Sequence, residues 1–357
     1  MASKLSRIEA RASSDATKNQ IYDRRFEKYL ERYGAVLDGV ADDAAALQSA
    51  FSAVAAGGKP KMVVFPQALT ANIGTAAGSG VSDVTYVGLS IPANVSVDWN
   101  GCQLTSSANF GAGDALVAIS DATGAADVYG QNRTVHRRGR WTANANYDQV
   151  LLVGNDAPAI GPSRVLFDQM LLESASNILT LGSNAYLVAF RHCEFRDWAA
   201  AGYAITSFGG STNWGENFHF DHCAFYNGAG IVLRARGGFY VFDACSMDYV
   251  KQAVLCDNAT LTQVQLNACH LEQNSIDAKY SATQYMLEVN STATASQILM
   301  NGGRIIVVTG ASGSNLDAIA YSNGSASAPY GIVMRDVVKS LNGVTLNGAG
   351  AGRFVDA

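Results

Sequence analysis

The sequence predicts an all-β chain: a right-handed parallel β-helix (solenoid) with short N-terminal helices, one of them capping the first coil. Three observations carry this expectation. A six-residue frame, apolar at its positions 0, +3 and +5, recurs through the body of the chain. From about residue 81 onward, short apolar runs alternate with turn residues. An amphipathic helical stretch and a short strand precede that body and stop at Pro66.

The frame reads Phe190-Arg191-His192-Cys193-Glu194-Phe195, then Phe220-Asp221-His222-Cys223-Ala224-Phe225. It continues as Phe242-Asp243-Ala244-Cys245-Ser246-Met247 and Leu266-Asn267-Ala268-Cys269-His270-Leu271, with weaker copies beginning at Phe167 and Met300. The four cysteines are 30, 22 and 24 residues apart. Solenoid repeats take roughly 20–45 residues, so each spacing fits one coil, the first carrying a loop insertion. A strand alternates faces, so positions 0 and +3 should oppose each other. A corner between them, turning the chain from one sheet into the next, lets 0, +3 and +5 all point inward. Stacked coils then place phenylalanine over phenylalanine and cysteine over cysteine. Six Asn-Gly pairs, at Asn100, Asn227, Asn301, Asn323, Asn342 and Asn347, mark tight turns because asparagine and glycine tolerate positive φ.

Ahead of this body, residues 18–33 predict a helix with Tyr22, Phe26, Tyr29, Leu30 and Tyr33 on one stripe. So aromatic a stripe needs a partner surface. Leu5, Ile8 and Ala12 extend a weaker helix before it. Residues 1–33 are therefore expected to be a helical segment that packs on the body, on sister chains or on an anchor protein, ahead of a β-helix body expected over residues 34–357. After Gly34, Asp42 or Asp43 is placed to N-cap a second helix whose stripe is Leu47, Ala50, Phe51 and Val54, ended by Gly57-Gly58. A strand follows at 62–65.

Composition narrows the function classes. Charged residues are only 15%, against about 25% in a typical soluble domain. The net charge is −5, yet residues 1–33 carry +3, which leaves −8 on the rest. An acidic body argues against nucleic-acid binding. No run approaches the roughly 18 apolar residues of a membrane span, so no membrane insertion is expected. The N-terminus lacks the apolar core of a secretory signal, so synthesis in a cytoplasm is expected and the six cysteines read as packing residues rather than a disulfide framework.

Tyr33-Gly34-Ala35, Asp38-Gly39, Asp42-Asp43, Ala46-Leu47-Gln48, Ala50-Phe51 and Phe65-Pro66 resemble the opening of the pectate-lyase-like β-helix superfamily, where this segment caps the first coil. That opening is shared by phage tailspikes, capsule depolymerases and polygalacturonase-like enzymes. A helix ahead of it, without a signal, favours the tailspike or tail-fibre branch. The resemblance implies a homotrimer in the virion, joined to other tail or baseplate proteins through its N-terminus and directed at host surface polysaccharide. After Pro66 the sequence departs from the usual pattern, with Gln67-Ala68-Leu69 where a glycine-tyrosine continuation is common.

Glycoside hydrolysis needs two carboxyl groups about 5–5.5 Å apart in retaining enzymes and about 6.5–9.5 Å in inverting ones. Neighbouring coils lie about 4.8 Å apart. Asp248 and Glu272 share position +6 of successive coils, and Asp221 and Asp243 share position +1. With Glu194 and Glu216 they are the candidate catalytic carboxylates; outward acidic residues that only solvate a β-surface are the other reading. Trp198, Tyr203 and Trp214, in the long segment between Cys193 and Cys223, are candidates to stack on sugar rings. Arg137, Arg138 and Trp141 belong to a basic cluster suited to an acidic glycan. His192-Cys193, His222-Cys223 and Cys269-His270 are adjacent pairs whose side chains face opposite ways on a strand, so no metal site and no cofactor are expected. Three functions follow: a receptor-binding tailspike or tail fibre, the same spike acting as a hydrolase or lyase, or a purely structural tail protein.

Overall fold

The structure is a computed structural model that describes residues 30–56, 61–75, 77–78, 86–107, 114–120, 134–143, 149–154, 161–182, 184–207, 216–258, 261–274, 285–293, 295–308, 318–323, 330–347 and 352–357. Among them, three sheets of eleven strands each form the body. Pairing is parallel except between Ala77–Gly78 and Tyr86–Pro92 at one edge. One coil illustrates the path. Strand Glu216–Asp221 lies in the first sheet, Ala224–Tyr226 in the second and Ile231–Ala235 in the third. The chain then returns to the first sheet as Gly238–Asp243, with Phe242 beside Phe220 and Asp243 beside Asp221.

The corner that the frame requires is present, and its cause is local. Position +2 has a positive φ in coil after coil: Arg138 at 58°, Gln169 at 56°, His192 and His222 at 50°, Ala244 at 49° and Ala268 at 52°. One left-handed residue reverses the alternation of faces. Positions 0, +3 and +5 therefore all point inward, as Phe190, Cys193 and Phe195 do. All six cysteines are buried and unpaired.

The core is a column of rings. Phe167, Phe190, Phe220 and Phe242 stack at 4.7, 5.1 and 4.6 Å, each within 10° of parallel. Phe195 on Phe225, at 4.7 Å, starts a second column. Toward the N-terminus the first column continues as His136, 5.1 Å from Phe167, and gives way to Trp141, Trp99 and Phe65. Asn100, Asn227 and Asn342 of the Asn-Gly pairs have positive φ as expected.

Helix α1, Ala44–Ala55, covers the first coil with Leu47, Ala50, Phe51 and Val54 buried. Asp43 occupies the N-cap position, but its carboxylate reaches backward to accept the N–H groups of Val36, Leu37 and Asn72. Asp42 accepts the N–H of Ala44 instead, at 3.1 Å. The strand expected at 62–65 is Lys61–Val64, with Phe65 buried just beyond it. Of the stripe expected at 18–33, Leu30 is fully buried and Tyr33 packs on the core; Tyr22, Phe26 and Tyr29 lie outside the described residues, as do Gly57 and Gly58. No described helix is long and apolar enough to cross a membrane.

Candidate functional site

Beyond the corner, the second sheet presents two outward columns, at positions +4 and +6. The register places Glu194, Ala224, Ser246, His270 and Arg304 in the first. Arg196, Tyr226 and Asp248 stand in the second, which continues through Glu272 to Ile306. His270 is the centre of the arrangement. Its Nε2 lies 3.2 Å from Asp248 Oδ1 and 3.4 Å from Glu272 Oε2. Its Nδ1 accepts a 2.6 Å hydrogen bond from Arg304 Nε. A guanidinium only donates, so Nδ1 must hold its lone pair toward Arg304. The ring proton is then on Nε2, shared between the two carboxylates. Ser246 donates its hydroxyl to Asp248 Oδ2 at 2.7 Å. One coil earlier, the Tyr226 hydroxyl donates to Glu194 Oε2 at 2.7 Å. Partial burial and the Glu194 carboxylate both push the Tyr226 phenol above its ordinary pKa.

The tautomer also decides a question of metal binding. Asp248, His270 and Glu272 offer three ligand atoms within 4.8 Å of one another. A cation would need the Nε2 lone pair, and Arg304 keeps the proton there. These residues therefore do not fit a metal in this arrangement.

Asp221 and Asp243 are neighbours on the first sheet, on the other side of the corner. Each has its own histidine: His222 Nδ1 is 2.6 Å from Asp221, and His219 Nε2 is 2.6 Å from Asp243. Asn267 also donates to Asp243 at 2.7 Å. The six candidate carboxylates are thus not one site. Asp248 and Glu272 meet at His270, Asp221 and Asp243 stand on a different sheet, and Glu194 is tied to Tyr226. Glu216 lies in the strand beside Tyr186, but its side chain is outside the described set.

Two aromatic expectations are corrected. Trp198 is 2% exposed and Trp141 is fully buried, so neither ring is available to a sugar. Trp141 packs edge-on to Trp99 at 5.2 Å. Trp198 lies over Gly228, where a Cβ would come within 2.0 Å of the indole. Of the insertion expected over 196–219, Tyr203–Ser207 belongs to the coil itself as a strand of the third sheet, and residues 208–215 lie outside the described residues. Tyr203 is half-buried on that sheet, with the Arg234 guanidinium 5.2 Å from its ring centre. Trp214 lies outside the described residues.

Arg137 and Arg138 share the buried carboxylate of Asp98, at 2.9 and 2.5 Å. Burial opposes the charge on Asp98, but the Arg138 hydrogen bond and both guanidinium charges hold its carboxyl below the usual range. Sequence reasoning passed over Asp98, Glu173 and the role of His270. Aligning position +4 of the frame would have set Ser246, His270 and Arg304 in one column. On the third sheet it also missed Glu288, whose carboxyl is pushed up by burial against a 3.0 Å hydrogen bond from Gln252.

No protein-family model matches this sequence, and no curated protein matches it. Among solved structures the chain is similar to the enzymatically active domain of tailspike protein 4 of bacteriophage CBA120, at 15% identity and a TM-score of 0.60, over 89% of this chain and 42% of that one. It is also similar to the A-module of the mannuronan C-5 epimerase AlgE6 of Azotobacter vinelandii, at 14% identity and a TM-score of 0.48, over 92% and 98% of the two chains. Tailspike protein 3 of bacteriophage CBA120 follows at 12% identity and a TM-score of 0.44, over 90% and 59%. The chain spans less than half the length of the tailspike 4 domain. With three stacked parallel sheets on one side and the tailspike 4 domain on the other, the fold is that of a right-handed parallel β-helix, shared with phage tailspikes.

Proposed function

We propose that the protein is a virion tailspike or tail fibre that binds a host surface polysaccharide along the outward face of its second sheet. The observation that carries this reading is the Asp248–His270–Glu272 cluster, backed by Arg304 and followed by the Tyr226–Glu194 pair. It fixes carboxylate acceptors and hydroxyl and N–H donors on successive strands, about 4.8 Å apart. A glycan laid along the helix axis meets hydrogen-bonding groups at each coil. In this reading the spike is a homotrimer, anchored to tail or baseplate proteins through its N-terminal residues.

A second reading, cleavage of the same glycan, is favoured by the two carboxylates that meet at His270. Their reach is comparable with the roughly 5–5.5 Å of retaining glycosidases.

Both are tested with the full chain and a panel of purified bacterial surface polysaccharides, scoring binding and new reducing or unsaturated ends. Binding that drops in Glu272→Gln and Asp248→Asn supports the receptor reading. Product formation that falls about 10²–10⁴-fold in either variant supports cleavage. Binding that neither variant changes rules out this face. A monomeric mass at micromolar concentration overturns the homotrimer.

A further inference from the structure

A depression of about 430 Å³ opens at the corner between the first and second sheets, lined by Asn100, Gly101, Arg138, Gly139, Arg140 and Gln169. Its shape follows from the core beneath. Position +3, filled by methionine or cysteine in the next coils, is Gly139 here. A Cβ on Gly139 would come within 2.7 Å of Trp99. The indole takes the inner space, so the corner above carries no side chain. Arg138, at a φ of 58°, projects from that corner.

The charge around the depression is unbalanced. Arg137 and Arg138 share Asp98. Arg140 and Arg196 share Glu173, the former through its Nε at 2.5 Å. Arg196 also meets Asp197 at 3.6 Å, so four guanidiniums stand against three carboxylates. Asp98 and Glu173 are each 2% exposed, while the Arg138 and Arg140 side chains are nearly half exposed. The acids lie beneath the arginines and hold them in place. Arg138 spends its Nε and one Nη on Asp98, and Arg140 its Nε on Glu173. A guanidinium has five N–H donors, so both keep donors for a ligand at the rim. Neither arginine must be ordered on binding.

We propose that this depression binds an oxyanion, and that the oxyanion is a carboxylate carried by an acidic polysaccharide. A planar carboxylate matches the fork of a guanidinium. Arg140 stands in the +4 column five strands before His270, through Leu171, Glu194, Ala224 and Ser246. At about 4.8 Å per strand that is roughly 24 Å, so one glycan lying along the axis reaches both places. The anion site stands on its own geometry; only the source of the anion rests on the polysaccharide reading.

The test uses the full chain with three probes: sodium sulfate, a galacturonate hexamer and the same hexamer with its carboxyls reduced. Sulfate is expected to shift the Arg138 and Arg140 Nε–H resonances. The acidic hexamer is expected to bind by calorimetry, to compete with sulfate, and to weaken at least tenfold in Arg138→Gln and in Arg140→Gln. Arg335→Gln, on a distant coil, should leave it unchanged, and the reduced hexamer should bind at least tenfold more weakly. Thermal melts check that each variant is folded. Sulfate that shifts neither arginine, or acidic hexamer affinity unchanged in both variants, overturns the proposal. A hexamer that fails to compete with a confirmed sulfate site leaves an anion site and removes its polysaccharide source. Neutral glycan binding that depends on Glu272, with no anion bound, keeps the polysaccharide reading and overturns this one.

Discussion

The sulfur of Cys245 lies 3.3 Å from the carbonyl oxygen of Phe220, one coil behind it. The relation repeats: Cys193 to Phe167 at 3.5 Å, Cys223 to Phe190 at 3.4 Å and Cys269 to Phe242 at 3.3 Å. The carbonyl belongs to position 0, at the edge of the corner, and the next coil supplies a weak S–H donor to it. Cysteine at +3 is thus small enough for the corner and polar enough for that carbonyl.

Burial pushes the Cys193 and Cys223 thiols far above their ordinary pKa, and the thiolate is the reactive form. All four ladder thiols are buried, none more than 2% exposed, so in the native protein a soluble disulfide reagent is expected to leave Cys193, Cys223, Cys245 and Cys269 unlabelled over minutes. In denaturant all six cysteines should react at once. Fast native labelling of any of the four would contradict the ladder.

His136 stands in the aromatic column where later coils have phenylalanine, and neither ring nitrogen has a hydrogen-bond partner among the described residues. Burial drives its pKa down to about 3. Its unfolded value is about 6.5, so the unfolded chain takes up the proton first. The folded state is unpenalised above about pH 6.5 and loses about 1.4 kcal/mol per pH unit between that value and about pH 3. His136→Phe should raise the melting temperature at pH 8, since an unsatisfied buried polar group costs about 1–3 kcal/mol. It should raise it further at pH 5. An equal gain at both pH values would mean that His136 is not held neutral.

Arg304 sets the tautomer of His270. In Arg304→Ala the Nδ1 can carry the proton, leaving the Nε2 lone pair toward Asp248 and Glu272. Zinc titration by calorimetry should then find at least tenfold tighter binding than in the unsubstituted chain, lost again in Arg304→Ala with His270→Ala. Equal zinc affinity with and without Arg304 would show that the arginine does not govern the site.

Gly228 accommodates the buried Trp198 ring. Gly228→Ala forces the indole out of its place and should cost about 1–3 kcal/mol or more, read as a lower denaturation midpoint with red-shifted tryptophan emission. An unshifted midpoint would show that the loop at 228 yields freely.

The coil and its corner were legible because positions 0, +3 and +5 are repeated by kind, and a period-two strand cannot bury all three. The pairing of Asp248 with Glu272 was legible for the same reason: both hold position +6. What escaped depends on residues a whole coil away. Trp198 looks like a sugar platform until Gly228, thirty residues on, makes room for it in the core. Trp141 is hidden in the same way, beside Trp99. Glu173 also holds position +6, but its place between Arg140 and Arg196 exists only once three coils are stacked.

The stacking of Phe242 directly beside Phe220, with Asp243 beside Asp221, has a bearing on how such a chain can change length. Excising residues 221–242 would join Phe220 to Asp243 at a point where donor and acceptor strands already superimpose. The ring column, the thiol ladder and the corner would close over the gap, and the rod would be one step shorter. Duplication at the same seam would lengthen it by one step. Gene rearrangements that respect this seam therefore adjust the length of the rod without redesigning its core.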